Sequence, residues 1–212
     1  MKSLVLAVLL FCVSSNFVSA QDMKQQTLPD PRTTGGKPLR DVLGDRQTNR
    51  DFKPDMITNQ ELSDLLWAAW GINRQDIGKR TAPSWKNFQE IGIYVATKDG
   101  VRQWDEKRNV LDPVSDVDVR GLTQNKSFVT VVPLMLLYIA DYDKMDAPKK
   151  DKRFISGTDS GFISQNVYLH CASEGLSTVV MGAIDRKKMR KALKLKRNLH
   201  IIHCQAVGYP AQ

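Results

Sequence analysis

The sequence predicts an α+β fold in which a mixed sheet is covered by helices in layers. Three observations predict it. A capping box at Thr58 opens an amphipathic helix. β-branched runs at 91–97 and 129–140 have strand character. A helical periodicity over 158–174 separates those runs from two further apolar strands, 177–181 and 200–207. With 212 residues, 42% hydrophobic and 25% charged, the chain is unlike disordered, collagen-like or coiled-coil sequences. It is long enough for one domain with a sizeable core.

Residues 1–20 read as a secretory signal peptide: Lys2, an apolar stretch from Leu4 to Val13, and small residues before Gln21. The apolar stretch is shorter than the roughly 20 residues of a membrane span. An exported (periplasmic or secreted) protein is therefore expected, cleaved near Ala20. Cleavage removes Cys12 and leaves Cys171 and Cys204. These are expected as two separate buried thiols, because a domain of this size does not need a disulfide.

Residues 21–44 carry Pro29, Pro31, Gly35, Gly36 and Pro38 and are expected as an extended lead-in, with a single domain over 45–212. Thr58 and Glu61 form the capping box; Leu62, Leu65, Leu66 and Ala69 repeat at helical spacing, and Gly71 can close the helix. Ile91 to Thr97 is a strand, and Asp99-Gly100 turns into a second near Val101 to Trp104. Pro133 interrupts the apolar run of Val129 to Ala140, so the buried strand is expected to begin after it. Thr158 or Asp159 is expected to cap a long helix ending before Gly175. Asp185 should cap a basic helix through about Leu195.

Three segments could carry chemistry. Arg46-Gln47-Thr48-Asn49-Arg50 offers two guanidiniums and a hydroxyl suited to a phosphate. In an extended segment Arg46, Thr48 and Arg50 would point to one side. In Pro83-Ser84 with Asn87, the Asn amide can donate and accept to a heterocycle edge. Gly182 and Ala183 end the strand begun at Ser177 and leave backbone open to a flat ligand.

Together these segments resemble the flavin-dependent nitroreductase family, over about Arg46 to Pro210. Arg46 to Phe52 is similar to the family's phosphate motif, Leu65 to Ile72 to the helix after it, Arg80 to Ser84 with Asn87 to its flavin loop, and Gly161 to Leu176 to its long core helix. The resemblance implies a three-layer α/β/α sandwich with a mixed, mainly antiparallel central sheet. It also implies a homodimer with FMN at the interface, NAD(P)H as a candidate donor, and a small-molecule acceptor such as a nitro compound or quinone. By family pattern Arg46, Gln47, Thr48 and Arg50 would hold the phosphate and pyrimidine edge, and Pro83, Ser84 and Asn87 would line the ring and ribityl chain. The Gly182 and Ala183 backbone would face the redox nitrogen. No side chain need be a catalytic nucleophile, since the flavin carries the chemistry. The family's basic residues after the last strand have no counterpart in Tyr209-Pro210-Ala211-Gln212, so a thinner phosphate clamp is expected. The segment between Trp104 and Phe128 is brief, so any lid should be small.

Other groups are read as packing. His200 and His203 should face opposite sides of a strand, and no metal site is expected. His170 and Cys171 are adjacent on a helix and do not face each other. The 31 basic and 23 acidic residues give a net charge of +8, which becomes +7 once Lys2 leaves with residues 1–20. Arg186 to Arg197 alone supplies +8, so the remainder is near neutral and no nucleic-acid partner is expected. Met189 and Leu193 give that helix a narrow apolar stripe, leaving a solvated surface helix or, as the alternative function, a non-enzymatic exported module meeting a partner or anionic surface through 186–197.

Overall fold

The structure, a computed structural model, describes residues 23–123 and 128–211. The expected signal peptide lies outside the described residues. In chain order the elements are β1 (Gln26–Thr27), α1 (Leu39–Asp45), α2 (Asn59–Trp70), β2 (Ile72–Arg74), β3 (Lys79–Arg80), β4 (Ile91–Thr97), β5 (Gly100–Asp105), β6 (Val110–Ser115), β7 (Leu134–Asp141), α3 (Lys149–Glu174), β8 (Ser177–Met181), α4 (Arg186–Ala192) and β9 (Leu199–Gly208). Seven strands form one sheet in the order β1-β6-β5-β4-β7-β9-β8; β2 and β3 form a separate hairpin. Each described pairing in the large sheet is antiparallel.

Strand β7 explains why three layers form. Its side chains alternate, yet both faces are apolar, which is how a strand covered on both sides reads in sequence. Leu134, Leu136, Tyr138 and Ala140 join the core under α2 and α3. Met135, Leu137 and Ile139 join a second core with Phe128, Val129, Met189 and Leu193. The expected stripe of α4 is thus buried, and β7 begins after Pro133 as expected. Cys171 lies in the first core and Cys204 in the second, on opposite faces of the sheet, and both are free thiols. Burial pushes the Cys204 thiol up to about 12.

The Thr58–Glu61 capping box is present. Gly71 closes α2 with an ordinary negative φ; a Cβ there would lie 2.4 Å from the Trp67 ring, so close approach and not a left-handed turn selects glycine. Helix α3 starts at Lys149 after Pro148, not at Thr158 or Asp159. Nothing after Pro148 breaks the helix, and Ile155 and Ser156 already bury one face, so Asp159 becomes an interior residue. Gly175 ends α3 with a φ of 72°, and the Leu176 N–H returns to the Cys171 carbonyl at 2.8 Å. Strand β6 and the β2–β3 hairpin were not legible in advance; β6 contains Asp112 and Pro113, both poor strand formers.

The lead-in, expected to be extended over 21–44, is extended only as far as Pro38, after which α1 begins, and it is strapped down. Strand β1 pairs with β6, and Leu28 enters the core. The Pro29 carbonyl accepts from Ser63 Oγ at 2.5 Å and from Asn109 Nδ2 at 2.8 Å. The Arg32 backbone N–H and Nε both donate to the buried Asp64 carboxylate, at 2.6 and 2.7 Å, and Gln60 adds a third bond. These donors hold the Asp64 carboxyl below its usual range against the opposing effect of burial.

Asp64→Asn should lower the unfolding free energy by about 1–2 kcal/mol near neutral pH, measured by urea denaturation. A depressed native pKa stabilises above the unfolded value of about 3.9 and is lost as pH falls through the folded value, so the deficit should fade in acid. An identical acid-unfolding curve for both proteins would contradict this.

Candidate functional site

Strand β8 is the last of the sheet, so its outer edge has backbone groups without a strand partner. Two contacts cover them. The Val180 N–H donates to the Tyr168 hydroxyl of α3 at 3.1 Å, and the Thr178 carbonyl accepts the Asn49 N–H at 3.1 Å. The segment 46–50 is thereby laid along the β8 edge. Thr48 Oγ1 lies 3.0 Å from the same Tyr168 hydroxyl, and the Arg46 guanidinium sits over the Tyr168 ring, 5.5 Å from its centre. Further along, Phe52 bridges to Pro210, and the Lys53 N–H donates to the Tyr209 carbonyl at 3.0 Å.

Arg46 and Thr48 therefore meet on one side, as extended geometry requires. Arg50 does not join them. The Asn49 side chain accepts the Asp51 N–H at 2.8 Å, a side-chain turn that bends the chain just there. Gln47 and Asn49 line a cavity of about 260 Å³ with Lys37, Tyr168 and Thr178. Arg50 lines a larger one of about 580 Å³ with Phe52, Phe128 and Val131. Among the described residues neither Arg46 nor Arg50 has a carboxylate partner, whereas Lys37 is paired to Asp45 at 2.8 Å. The unneutralised Arg46 guanidinium beside the Thr48 hydroxyl suits an anion of phosphate type, and Arg50 adds a second positive charge further along the segment.

Gly182 and Ala183 follow β8 directly and are exposed. A Cβ added at Gly182 would meet nothing within 4 Å, so the chain leaves open space over this backbone. Four strand positions separate Thr178 from Gly182, about 13 Å at the rise of an extended chain. An elongated ligand could thus lie along β8 with its anionic end at 46–48 and a flat end at 182–183. Beyond Ala183 the Asp185 N–H donates to the Leu122 carbonyl at 2.9 Å and turns the chain into α4.

The loop with Pro83, Ser84 and Asn87 is elsewhere. Its Trp85 N–H donates to Asp159 Oδ2 at 2.9 Å. Asp159 and Tyr168 are nine positions apart on α3, which is two and a half turns and about 13 Å, so they lie on opposite flanks of the helix. Within one chain the structure joins Arg46, Thr48, Gly182 and Ala183 along β8 but keeps Pro83, Ser84 and Asn87 apart from them.

That loop is strained and held. Lys86, Asn87 and Gln89 have φ values of 47°, 58° and 48°, a region that costs roughly 1 kcal/mol or more per non-glycine residue. Ser84 Oγ accepts the Gln89 N–H at 3.1 Å, and Asn87 Oδ1 accepts from Gln89 Nε2 at 3.1 Å. Gln89 Oε1 accepts from Arg80 Nε at 2.8 Å. Arg80 is itself buried, donating to the Trp70 carbonyl at 2.9 Å and pairing with Glu106. Sequence reasoning missed Tyr168, Gln89 and Asp159 as supports. For Asp159 a signal existed, an acid in a helical stretch, but it suggested a cap.

The remaining candidates find structural roles. Arg186 donates to the Ile201 and Ile202 carbonyls at 3.0 and 2.6 Å, and Arg190 donates to the Leu199 carbonyl, so two cations of the basic segment bind β9 backbone. A bulge in β9 at Ile202 changes its parity: His203 pairs with Tyr138 and His200 with Ala140, so both histidines face the same side and not opposite sides. His200 stacks on Tyr142 at 3.8 Å, and His203 lies 4.6 Å from Tyr138. Burial pushes His203 down to about 4.

Residues 43–209 match the model of the nitroreductase family. A relative from Methanocaldococcus jannaschii, named "putative nitroreductase", is 30% identical over 169 residues, covering 74% of this chain and 85% of its own. A solved structure from Ralstonia eutropha JMP134, of the same designation, is 34% identical with a TM-score of 0.85, covering 90% of this chain and 91% of that one. A Desulfovibrio desulfuricans structure described as a complex with FMN shares the fold at 21% identity and a TM-score of 0.62, over 84% of this chain and 89% of that one.

Tyr168→Phe removes the acceptor of the Val180 N–H and the partner of Thr48. The expected cost is about 1 kcal/mol in thermal unfolding, with faster amide hydrogen exchange at Val180. Unchanged exchange there would mean that the hydroxyl does not hold the edge.

Proposed function

The chain belongs to the nitroreductase family, and on that premise we propose that it is an exported FMN-dependent oxidoreductase. It would pass a hydride or electrons from a reduced donor to a small acceptor such as a nitro compound or quinone. NAD(P)H is the candidate donor. The observation that carries the reading is the Arg46 guanidinium, without a carboxylate partner among the described residues, set with Thr48 at the Tyr168 hydroxyl on the edge of β8.

FMN would supply the redox chemistry when bound, accepting hydride from one substrate and returning it to the next. The residues of the chain bind and orient. Arg46 and Thr48 would hold the phosphate, with Gln47 beside them. Arg50 would bring positive charge to the ring end and favour its anionic reduced form. The Gly182 and Ala183 backbone would receive the ring edge. The apolar wall of Phe128 and Val131 would keep water from one side of the larger cavity.

We further propose a homodimer that completes the site. Pro83, Ser84 and Asn87 lie across α3 from the phosphate segment, so a partner's loop would have to cover the ligand. The outward face of α3 supports this: Phe154 is 77% exposed and Phe162 is 46% exposed, two large apolar side chains two turns apart.

Protein purified from its native compartment should be yellow and release FMN on denaturation. Arg46→Ala should weaken FMN binding about tenfold, the worth of one charge-assisted contact, in a fluorescence titration. Colourless protein that ignores added FMN would end the proposal and turn attention to anionic surfaces and the exposed lysines of 187–196. Unchanged affinity in Arg46→Ala would move the phosphate elsewhere.

A further inference from the structure

Two carboxyl groups are buried together at the foot of the strained loop. Glu90, the residue just before β4, is fully buried, and Asp159 on α3 is almost so. No donor bonds either Glu90 oxygen, the Asp159 carboxyl is its neighbour, and no cation pairs with either acid among the described residues. Asp159 Oδ2 accepts the Trp85 N–H, which is the contact joining the loop to α3.

The surroundings offer no compensating charge. On α3 the neighbours are Ser156 and Ser160, whose hydroxyls go to Met145 Sδ and to the Ser156 carbonyl, and Lys152, one turn before Ser156, whose Nζ donates to the Tyr142 carbonyl at 2.7 Å rather than to either acid. From β9 comes His203, neutral through burial and facing Ser160 Oγ at 3.4 Å. From β7 comes Tyr138, bonded to Gln205 at 2.7 Å. Asp141 ends β7 and Tyr142 follows it, and the Asp141 N–H donates to the Glu90 carbonyl at 2.9 Å. Lys144 donates to the Gln89 carbonyl at 3.2 Å, and Arg80 reaches the Gln89 side chain; both cations stop at Gln89. Two adjacent anions in such a place repel and lack solvation, so one proton must stay between them.

We propose that Glu90 and Asp159 are positioning residues that share one proton and thereby hold the 84–89 loop in its strained, flavin-facing shape. Loss of the proton sets two negative charges against each other beneath the loop. Asp159 is then driven from its partner, the Trp85 N–H is released, and the left-handed residues 86, 87 and 89 can relax. Burial first, and the neighbouring Asp159 charge, push Glu90 up to about 7, and Asp159 is raised as well. The sign follows. An acid with a raised native pKa is favoured protonated, so the anchor is intact below about pH 7 and weakens as pH rises through it. The flavin part of the proposal rests on the function proposed above; the proton-held anchor does not.

The test uses flavin-free protein first. Trp85 is exposed beside the anchor, and its emission is isolated by subtracting that of Trp85→Phe. A step with a midpoint near pH 7 is expected in the wild type. It should be absent in Glu90→Gln and in Asp159→Asn, because either amide donates a permanent hydrogen in place of the proton. Asp159→Ala, lacking the acceptor, should give the high-pH emission throughout. No step between pH 5 and 9 in the wild type, or the same step in Glu90→Gln, would overturn the anchor. FMN affinity is then compared at pH 6 and pH 8. The FMN phosphate titrates near pH 6 in every protein, so the ratio of wild type to Glu90→Gln is the readout. It should change about tenfold, the worth of one pKa unit of coupling. A constant ratio with the Trp85 step present would overturn the link from anchor to flavin. A Trp85 step with no FMN binding at any pH would sink the flavin function and leave the anchor standing.

Discussion

The Tyr168 hydroxyl is the contact on which the proposed site depends. It accepts the outward Val180 N–H of the last strand and lies against Thr48, beneath the Arg46 guanidinium. An edge strand must cover its open backbone groups. Here the covering groups are an α3 side chain and the 46–50 segment proposed to meet the phosphate. Sealing the sheet and placing Arg46 are therefore the same act, and its guanidinium sits on rigid support rather than on a free loop.

Helix α3 extends that logic to the rest of the site. Its sheet-facing stripe, Ile163, Val167 and Cys171, packs under the first core. One flank carries Tyr168 and the other carries Asp159, which holds the strained loop. A 26-residue helix keeps these two anchors at a fixed separation. One chain thus carries the 46–48 segment and the 84–89 loop on opposite flanks of α3, and the apolar outward face with Phe154 and Phe162 lies between them. The proposed homodimer rests on that arrangement.

Much of this was legible in the sequence because local chemistry decided it. The capping box, the 91–97 strand, the break at Pro133 and the Gly175 stop each follow from residues within a few positions. The cation-rich 46–50 segment and the small pair at 182–183 were legible for the same reason. What stayed hidden depended on distant partners. Asp159 reads as a helix cap until the ten residues before it are seen to be helical. The parity of His200 and His203 fails because of one bulge, which no periodicity announces. The strap of 23–37 looks like a tether because its fastening, Asp64, is an acid inside an amphipathic helix that would ordinarily be counted as its polar face.

The most direct test of the site is a crystal structure of the flavin-loaded protein. The expected result is a dimer with the FMN phosphate against Arg46 and Thr48, the ring edge at the Gly182–Ala183 backbone of the same chain, and the second chain's Ser84 loop over the ligand. A flavin bound away from the β8 edge, or a monomer whose own Ser84 loop closes the site, would contradict it.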